Sequence, residues 1–447
     1  MLDARKQIPQ DQGSRPESSG RGSPPSGAAA GGRFLYQVAV IGGGPAGMMA
    51  AGRAAELGAK VILLEKNAVL GRKLLLTGKG RCNLTQAEFE TRKLIAEYGK
   101  NGDFLFSAFS VFGVNEAIKF FNDRGLATKV ERGKRVFPVS DKAADVLKVL
   151  KKYLKEGDIE KRFNSAVKGI EKEGAKITKI ILENGEIEAK NYILATGGKS
   201  YPLTGSNGDG YVWLEMLGHT VVSPKPALVP IKIKEDWVKE CQGLSLKNVA
   251  ITVLQNNKKQ DRRFGEALFT HFGLSGPIVL DISKKVGELL KKGKVVLKLD
   301  LKPALDFKTL DQRIQRDFSK SSNKLFKNSL DELLPKKLIP VIVRLSAINP
   351  DKPINSITRE ERQHLANLLK GLEMTVGGLL GFDAAIITSG GVFLKEVDNR
   401  TMKSKLIDNL FFAGEILDLD GPSGGYNLQV CWTSGYLAGT CAAKTLL

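Results

Sequence analysis

Residues 37–65 constrain this chain more than any other stretch. An apolar run at 38–41 has the length of a buried parallel strand, and it breaks into Gly42, Gly43, Gly44, Pro45, Ala46 and Gly47. Residues 46–57 favour helix, Gly58 stops it, 60–64 predict a second strand, and Glu65 stands at its end. Strand, glycine turn, helix, strand and acid in this order form the βαβ unit that holds a dinucleotide. Gly42 permits the tight turn, Gly44 lets backbone approach a pyrophosphate, and Gly47 allows helix and strand to pack closely. The helix start, with Pro45 and Ala46, offers unpaired N–H groups and a positive dipole end to phosphate. Glu65 is placed to accept hydrogen bonds from a ribose, which argues for an unphosphorylated 2′-hydroxyl.

Lys66 follows, then Arg72-Lys73, then Gly78-Lys79-Gly80-Arg81-Cys82-Asn83. The last run is not an ATP-binding P-loop, because Gly80 follows Lys79 where a hydroxyl should stand. A loop rich in Gly, Arg and Lys just after the ribose acid suits the phosphates and ring of a flavin. Arg72 and Lys73 would neutralise pyrophosphate, and backbone from Gly80 and Arg81 to Asn83 would approach the ring. A basic surface loop is the alternative. Two later stretches repeat the theme of a strand ending in glycine: Ala195-Thr196-Gly197-Gly198, and Phe412-Ala413-Gly414-Glu415. Gly425, Tyr426, Asn427 and Leu428 then open a helix over 428–445, whose N-terminus would stabilise a reduced ring's anion. Glu415, or nearby Asp418, would hold the ribityl chain, and Val167 would touch adenine through its backbone. No second Gly-x-Gly-x-x-Gly occurs in the insertion, so a nicotinamide donor, NAD(P)H, would visit only transiently. The ligand narrows to FAD.

The rest of the chain divides by composition. Residues 1–32 are rich in Gly, Ser, Pro and Ala without apolar period, and are expected to be disordered. Residues 33–205 and 373–447 form the two parts of the FAD-binding domain. Between them, 206–302 are strand-rich and 303–372 carry a helical pattern broken by prolines. Within the first part, Asp141 is expected to cap a helix over 143–155, and 159–171 to form one strand. No run approaches the about 20 apolar residues of a membrane helix, so no stable membrane association and a cytoplasmic location are expected. Cys82, Cys241, Cys431 and Cys441 form no CxxC pair, and three histidines are too dispersed for a metal site. Residues 206–372 carry 29 Lys/Arg against 18 Asp/Glu. Such a surplus suits a polyanion, whether RNA, DNA or an anionic membrane, or simply solvated faces.

Together these stretches resemble the BaiN-like (YhiN-like) family of FAD-dependent oxidoreductases. The resemblance rests on 42–47, 65–66, 71–74 with 77–84, and 195–198. It rests also on Leu268-Phe269-Thr270-His271-Phe272-Gly273-Leu274-Ser275-Gly276-Pro277, on Thr388-Ser389-Gly390-Gly391-Val392, and on 412–415 through 424–427. It spans about 34–447. The resemblance implies an α/β fold: a Rossmann-like, two-dinucleotide-type FAD domain with an inserted β-barrel-like domain and a small helical subdomain. It implies flavin redox chemistry on varied substrates, including conjugated C=C bonds, uridine of ribosomal RNA and amines.

A C=C reductase is the leading expectation, with structured ribosomal RNA a reasonable substrate for the basic insertion. An oxidase of a small amine and a non-catalytic, flavin-stabilised RNA-binding factor are the alternatives. His271, Cys82 and Tyr201 are the candidate proton donors, each with a packing role as its bland counterpart. Oligomeric state is not readable from the sequence.

Overall fold

The computed structural model describes residues 35–320 and 323–445, so the tail expected at 1–32 lies outside the described residues. β1 (Tyr36–Ile41) and β2 (Val61–Leu64) pair in parallel, joined by the crossover helix α1 (Pro45–Glu56). β3 (Ile159–Arg162), β4 (Ala189–Leu194) and β5 (Leu410–Phe412) complete a parallel five-stranded sheet, ordered β5-β4-β1-β2-β3. The strands are apolar at nearly every central position because the sheet is covered on both faces; Val38, Val40, Leu63 and Ile193 are wholly buried. The strand order reverses at β1, whose neighbours are β2 on one side and β4 on the other. A crevice opens beyond the strand ends at such a switch point.

The single strand expected over 159–171 is two strands of two sheets. β3 stops at Arg162, Asn164 turns the chain with a left-handed φ of 51°, and Val167–Glu173 begins an antiparallel meander with Lys176–Leu182 and Glu186–Ile187. The break has a long-range cause. The N–H groups of Asn164 and Ser165 donate to the carbonyls of Asn67 (3.1 Å) and Glu65 (3.0 Å), pulling the chain off the sheet edge.

The inserted lobe hangs from an antiparallel pair, Val221–Ala227 with Ile387–Val392. Between them lies a closed six-stranded barrel: Ile231–Ile233, Gly273–Ser275, Lys258–Thr270, Ser245–Gln255, Val296–Asp300 and Leu372–Leu379. The barrel therefore starts after Pro230, whereas the helix Asp209–Leu217 sends Tyr211 and Leu214 into the core of the Rossmann lobe. Leu372–Leu379 closes the barrel, past the border drawn at 372. The helices Phe307–Lys320, Ile339–Leu345 and Arg359–Lys370 share one apolar core with the barrel. The signature run at 268–277 serves barrel closure. A Cβ built on Gly273 would stand 2.2 Å from the Ile231 carbonyl oxygen, so only glycine fits where these strands meet. The run then leads into α2 (Pro277–Leu290), which meets the Rossmann lobe through Lys284 and Asp420 at 2.8 Å.

The last helix, α3 (Tyr426–Lys444), crosses α1 at backbone contact. Cβ atoms built on Gly435 and Gly439 would stand 2.5 Å from the Ala46 oxygen and 2.4 Å from the Ala50 oxygen. One small residue per turn on α3 facing an alanine-rich α1 lets the two helices lie closer than larger side chains allow. Both N-termini are thus brought to the crevice. Among the described residues no single helix is long and apolar enough to cross a membrane.

Candidate active site

The crevice is built first from backbone. Gly44 is the N-cap of α1, no side chain caps it, and Pro45 occupies the first turn, where its missing N–H costs nothing. A Cβ built on Gly44 would meet nothing within 4 Å, whereas one on Gly47 would stand 1.8 Å from the Gly42 oxygen. Gly44 therefore faces open space and Gly47 faces the turn, the division of labour the fingerprint predicts. Gly42, at φ 107°, lies against the end of β4: its Cβ would come within 2.5 Å of the Ala195 oxygen. The first fingerprint and the Ala195-Thr196-Gly197 stretch, some 150 residues apart by number, are one surface.

Glu65 is buried and already partly used. Its Oε2 accepts the Gly43 N–H at 2.8 Å, and its Oε1 accepts Asn67 N–H (2.8 Å) and Asn67 Nδ2 (2.6 Å). A carboxylate has roughly four acceptor positions, so one remains for a ribose hydroxyl while the other three brace the glycine loop. Lys66 bonds Asp209 (2.9 Å) and Asn207 (2.7 Å), and Arg72 donates to Asn67 Oδ1 at 2.8 Å. Val167 is buried at the start of the meander.

At the other end the site is built from side chains. Glu415 Oε1 accepts Thr388 N–H and the Ser200 hydroxyl, both at 2.8 Å, and its Oε2 accepts Lys73 Nζ at 2.7 Å. Lys73 also donates to Ser200 Oγ at 2.6 Å. Lys73, expected to neutralise pyrophosphate, is engaged here as the counter-charge that a largely buried carboxylate needs. Ser200 and Thr388 were missed by the sequence reading, although Thr388 lies inside one of the quoted motifs. Gly425, at φ 105°, is the N-cap of α3, again without a side-chain cap. Asn427 is tied back to its own loop, accepting Gly421 N–H (2.9 Å) and donating to the Gly421 oxygen (3.0 Å). Tyr426 packs edge-on against Tyr98, and burial pushes its hydroxyl up to about 12. Leu428 packs at the core margin.

The basic loop departs furthest from expectation. Arg81 is held by ion pairs to Glu131 and Asp141 and lies 4.1 Å over the Phe137 ring. Its guanidinium is committed to structure, and so is the carboxylate of Asp141. The helix that Asp141 was expected to cap starts instead after Lys142, with no side-chain cap. Gly80 (φ 84°) faces open space. Cys82 is fully buried in a left-handed conformation (φ 59°), and burial pushes its thiol to about 12. A thiol so enclosed is a poor proton relay. Tyr201 is half-buried, also left-handed at φ 52°, with its N–H on the Phe382 oxygen at 3.1 Å. His271 sits on the exposed turn after Lys258–Thr270, a turn fixed to the barrel by the bond from Ile233 N–H to the Phe272 oxygen. The three proposed donors come from three separate segments, and of them only Cys82 is fully buried.

One buried polar atom asks for a ligand. Asn83 Oδ1, in the loop after Gly80, has no hydrogen-bond partner, an uncommon condition for buried polar groups. Thr196 Oγ1 is likewise unpaired, but it faces the helix Asp209–Leu217, 2.2 Å from where a Cβ on Gly210 would stand. Two uncapped helix N-termini, an open cradle above Gly44, one spare acceptor on Glu65 and the Asn83 oxygen fit an extended dinucleotide.

The family model described as the HI0933-like protein Rossmann domain matches residues 36–441. The chain belongs to this family. The BaiN-like resemblance carried by the loop motifs is thereby borne out, and the chain is an FAD-dependent oxidoreductase with a Rossmann-like FAD-binding fold. It is 33% identical to the 3-dehydro-bile acid delta(4,6)-reductase of Clostridium scindens, covering 92% of this chain and 100% of that protein. It is 30% identical to the ribosomal RNA dihydrouridine synthase of Escherichia coli, covering 90% and 96%. Among solved structures, a flavocytochrome c3 fumarate reductase in an open conformation aligns with TM-score 0.50 and 18% identity over 92% of this chain and 78% of that one. The 3-ketosteroid-delta4-(5alpha)-dehydrogenase of Rhodococcus jostii aligns with TM-score 0.50 and 14% identity over 92% and 98%. These two likenesses show a shared fold.

Proposed function

We propose that this HI0933-like protein reduces an electron-poor C=C bond, with uridine in a structured ribosomal RNA as the substrate class and NAD(P)H as a transient donor. Bound FAD would supply the hydride. The chain's own part is to hold the cofactor, place the acceptor and deliver a proton. Gly42, Gly44, Ala46, Gly47 and Glu65 would hold the adenosine and pyrophosphate end, and Glu415, Gly425 and Tyr426 the ring end. Support comes from two relatives whose names, delta(4,6)-reductase and dihydrouridine synthase, both describe saturation of a C=C conjugated to a carbonyl.

The observation that favours RNA is a lysine cluster on the barrel. Gln255 Nε2 donates to the Leu289 oxygen at 2.8 Å and the Gly293 oxygen at 3.3 Å, drawing the hairpin tip to the turn after α2. Lys258, Lys259, Lys291, Lys292 and Lys294 are exposed there together. The 14 residues of α2 span about 21 Å from this cluster to the crevice side, a reach that suits a folded RNA with one base drawn out of its stack. Filter binding of a ribosomal RNA fragment at rising salt tests the reading. Binding should weaken steeply, and replacing Lys291, Lys292 and Lys294 by Ala should lower the log–log salt slope by about 2–3. Mass spectrometry of ribosomal RNA nucleosides should show a dihydrouridine lost on deletion and restored by the intact gene. No binding at low salt would sink the RNA reading while leaving the flavin site untouched.

A further inference from the structure

Saturating a C=C bond needs a proton as well as a hydride, and Cys82, one of the donors read from the sequence, is a fully buried thiol pushed up to about 12. The inserted lobe brings a carboxyl that no motif announced. Asp281, on α2, accepts the Ser423 N–H at 2.8 Å, and Ser423 lies in the glycine loop leading to the uncapped N-terminus of α3. One turn further, Lys284 grips Asp420, which also accepts the Ser389 hydroxyl at 2.9 Å. The helix is thus clamped over the loop. Gln86 lies against the same loop. It is 8% exposed, its Nε2 donates to the Gly133 oxygen at 2.9 Å, and its Oε1 is buried without a partner. A Cβ built on Gly424 would stand 3.3 Å from that oxygen. A carboxyl and an orphaned acceptor, from two lobes, therefore converge on one glycine loop at the ring end of the crevice.

We infer that Asp281 is the proton donor of the reaction, and that the acceptor's polar head, an N–H beside a conjugated carbonyl as in a pyrimidine imide, bonds Gln86 Oε1. The inference rests on the C=C reductase reading above. Burial holds the Asp281 carboxyl above the ordinary range. The Ser423 N–H and the Arg263 charge draw it down by less, and Glu97 pushes it up. Tyr426, across the loop, feels the same carboxyl. In the step itself, bound reduced flavin would supply a hydride to the far carbon of the C=C, leaving an enolate on the acceptor. The Asp281 O–H bond then breaks, a C–H bond forms at the carbon beside the carbonyl, and water reprotonates the carboxylate. The acceptor would gain two electrons and two hydrogens, the electrons at the expense of the flavin's reduced state.

Asp281→Asn keeps an oxygen for the Ser423 N–H and removes the proton. In the flavin-loaded full chain it should leave reduction by dithionite unchanged, and should slow reoxidation by a uridine-containing RNA hairpin by about 10²–10⁴-fold. The wild-type alkaline fall in the reoxidation rate should disappear, and Asp281→Glu should restore part of the rate. Gln86→Leu should raise KM for the RNA with bound flavin retained. Reoxidation of Asp281→Asn at the wild-type rate and pH profile overturns the assignment. So does Lys284→Ala if it reproduces the loss of the alkaline limb, because the clamp alone would then be the cause. Flavin loss in Gln86→Leu overturns the Gln86 contact. If neither the RNA nor a steroid enone reoxidises the wild type, the reductase reading itself fails, and that is seen before any variant is made.

Discussion

The two ends of the crevice are made of different material. At the α1 end the work is done by backbone: Gly42, Gly44 and Gly47 shape a turn, and the helix start is left uncapped. At the α3 end it is done by a side-chain network, Lys73, Ser200, Thr388 and Glu415, gathered from four separate segments. At Gly42 and Gly47 the backbone site tolerates almost no added volume in the protein itself, because the neighbouring atoms are main chain, while Gly44 faces open space. A side-chain network tolerates volume better and charge imbalance worse, because an unpaired carboxylate or ammonium is left in a poorly hydrated place.

The sharpest way to break this contrast is Gly47→Ala. The new methyl would stand 1.8 Å from the Gly42 oxygen, and neither backbone segment can yield without opening the turn. The loss should be about 3 kcal/mol, roughly a hundredfold or more in flavin affinity, read by titrating apoprotein with FAD. Melting without FAD should fall as well, because the clash lies within the folded chain itself. A variant that still folds and binds FAD at the wild-type affinity would mean that this turn is not part of the cofactor site.

This same contrast explains what was legible in the sequence. The α1 end is local, and a glycine spacing reports backbone geometry directly, so Gly42, Gly44, Gly47 and the end of β4 could be named in advance. The family motifs extended that reach to the ring end. Partnerships could not be read. Arg81 looked like a cofactor contact because its loop is basic, yet its acids Glu131 and Asp141 stand 50 and 60 residues further on. Lys73 finds Glu415 at a separation of 342 residues. Asp281 lies in an ordinary helix pattern, and only the docking of α2 on the 421–425 loop gives it a role. The division at 159–171 failed for the same reason, since hydrogen bonds from the Glu65 loop, absent from any local periodicity, cut the strand.

Charge is the lever at the α3 end. Glu415→Gln and Lys73→Met should each cost about 2 kcal/mol of stability or flavin binding, since each strands the other's charge. The double variant should cost less than the sum, with a coupling of about 1 kcal/mol or more. Additive losses in a denaturant-melt cycle would show the 2.7 Å pair to be energetically idle, and the contrast between the two ends would lose its basis.

The smallest expected effect comes from a polar bridge of the same style set outside the crevice. His219 is buried against Phe412, with Nδ1 3.0 Å from Glu396 Oε2 and Nε2 2.9 Å from Ser404 Oγ. Burial lowers its pKa from the ordinary value, and the Glu396 carboxylate only partly offsets this. The folded state therefore favours neutral imidazole, while the unfolded chain takes up its proton near pH 6.5. The stability tied to His219 is present above that pH and is lost as pH falls through the depressed folded value. His219→Gln should cost about 1 kcal/mol at pH 8 and remove this part of the acid-side decline, with bound flavin unchanged. Comparing wild type and variant melts from pH 8 to 5 decides it: parallel curves would mean that His219 does not titrate on unfolding, whereas converging curves place the proton uptake in the unfolded chain. A bridge whose loss moves stability but not flavin content would separate the polar networks that hold the Rossmann lobe together from the one at Glu415 that we propose to hold its cofactor.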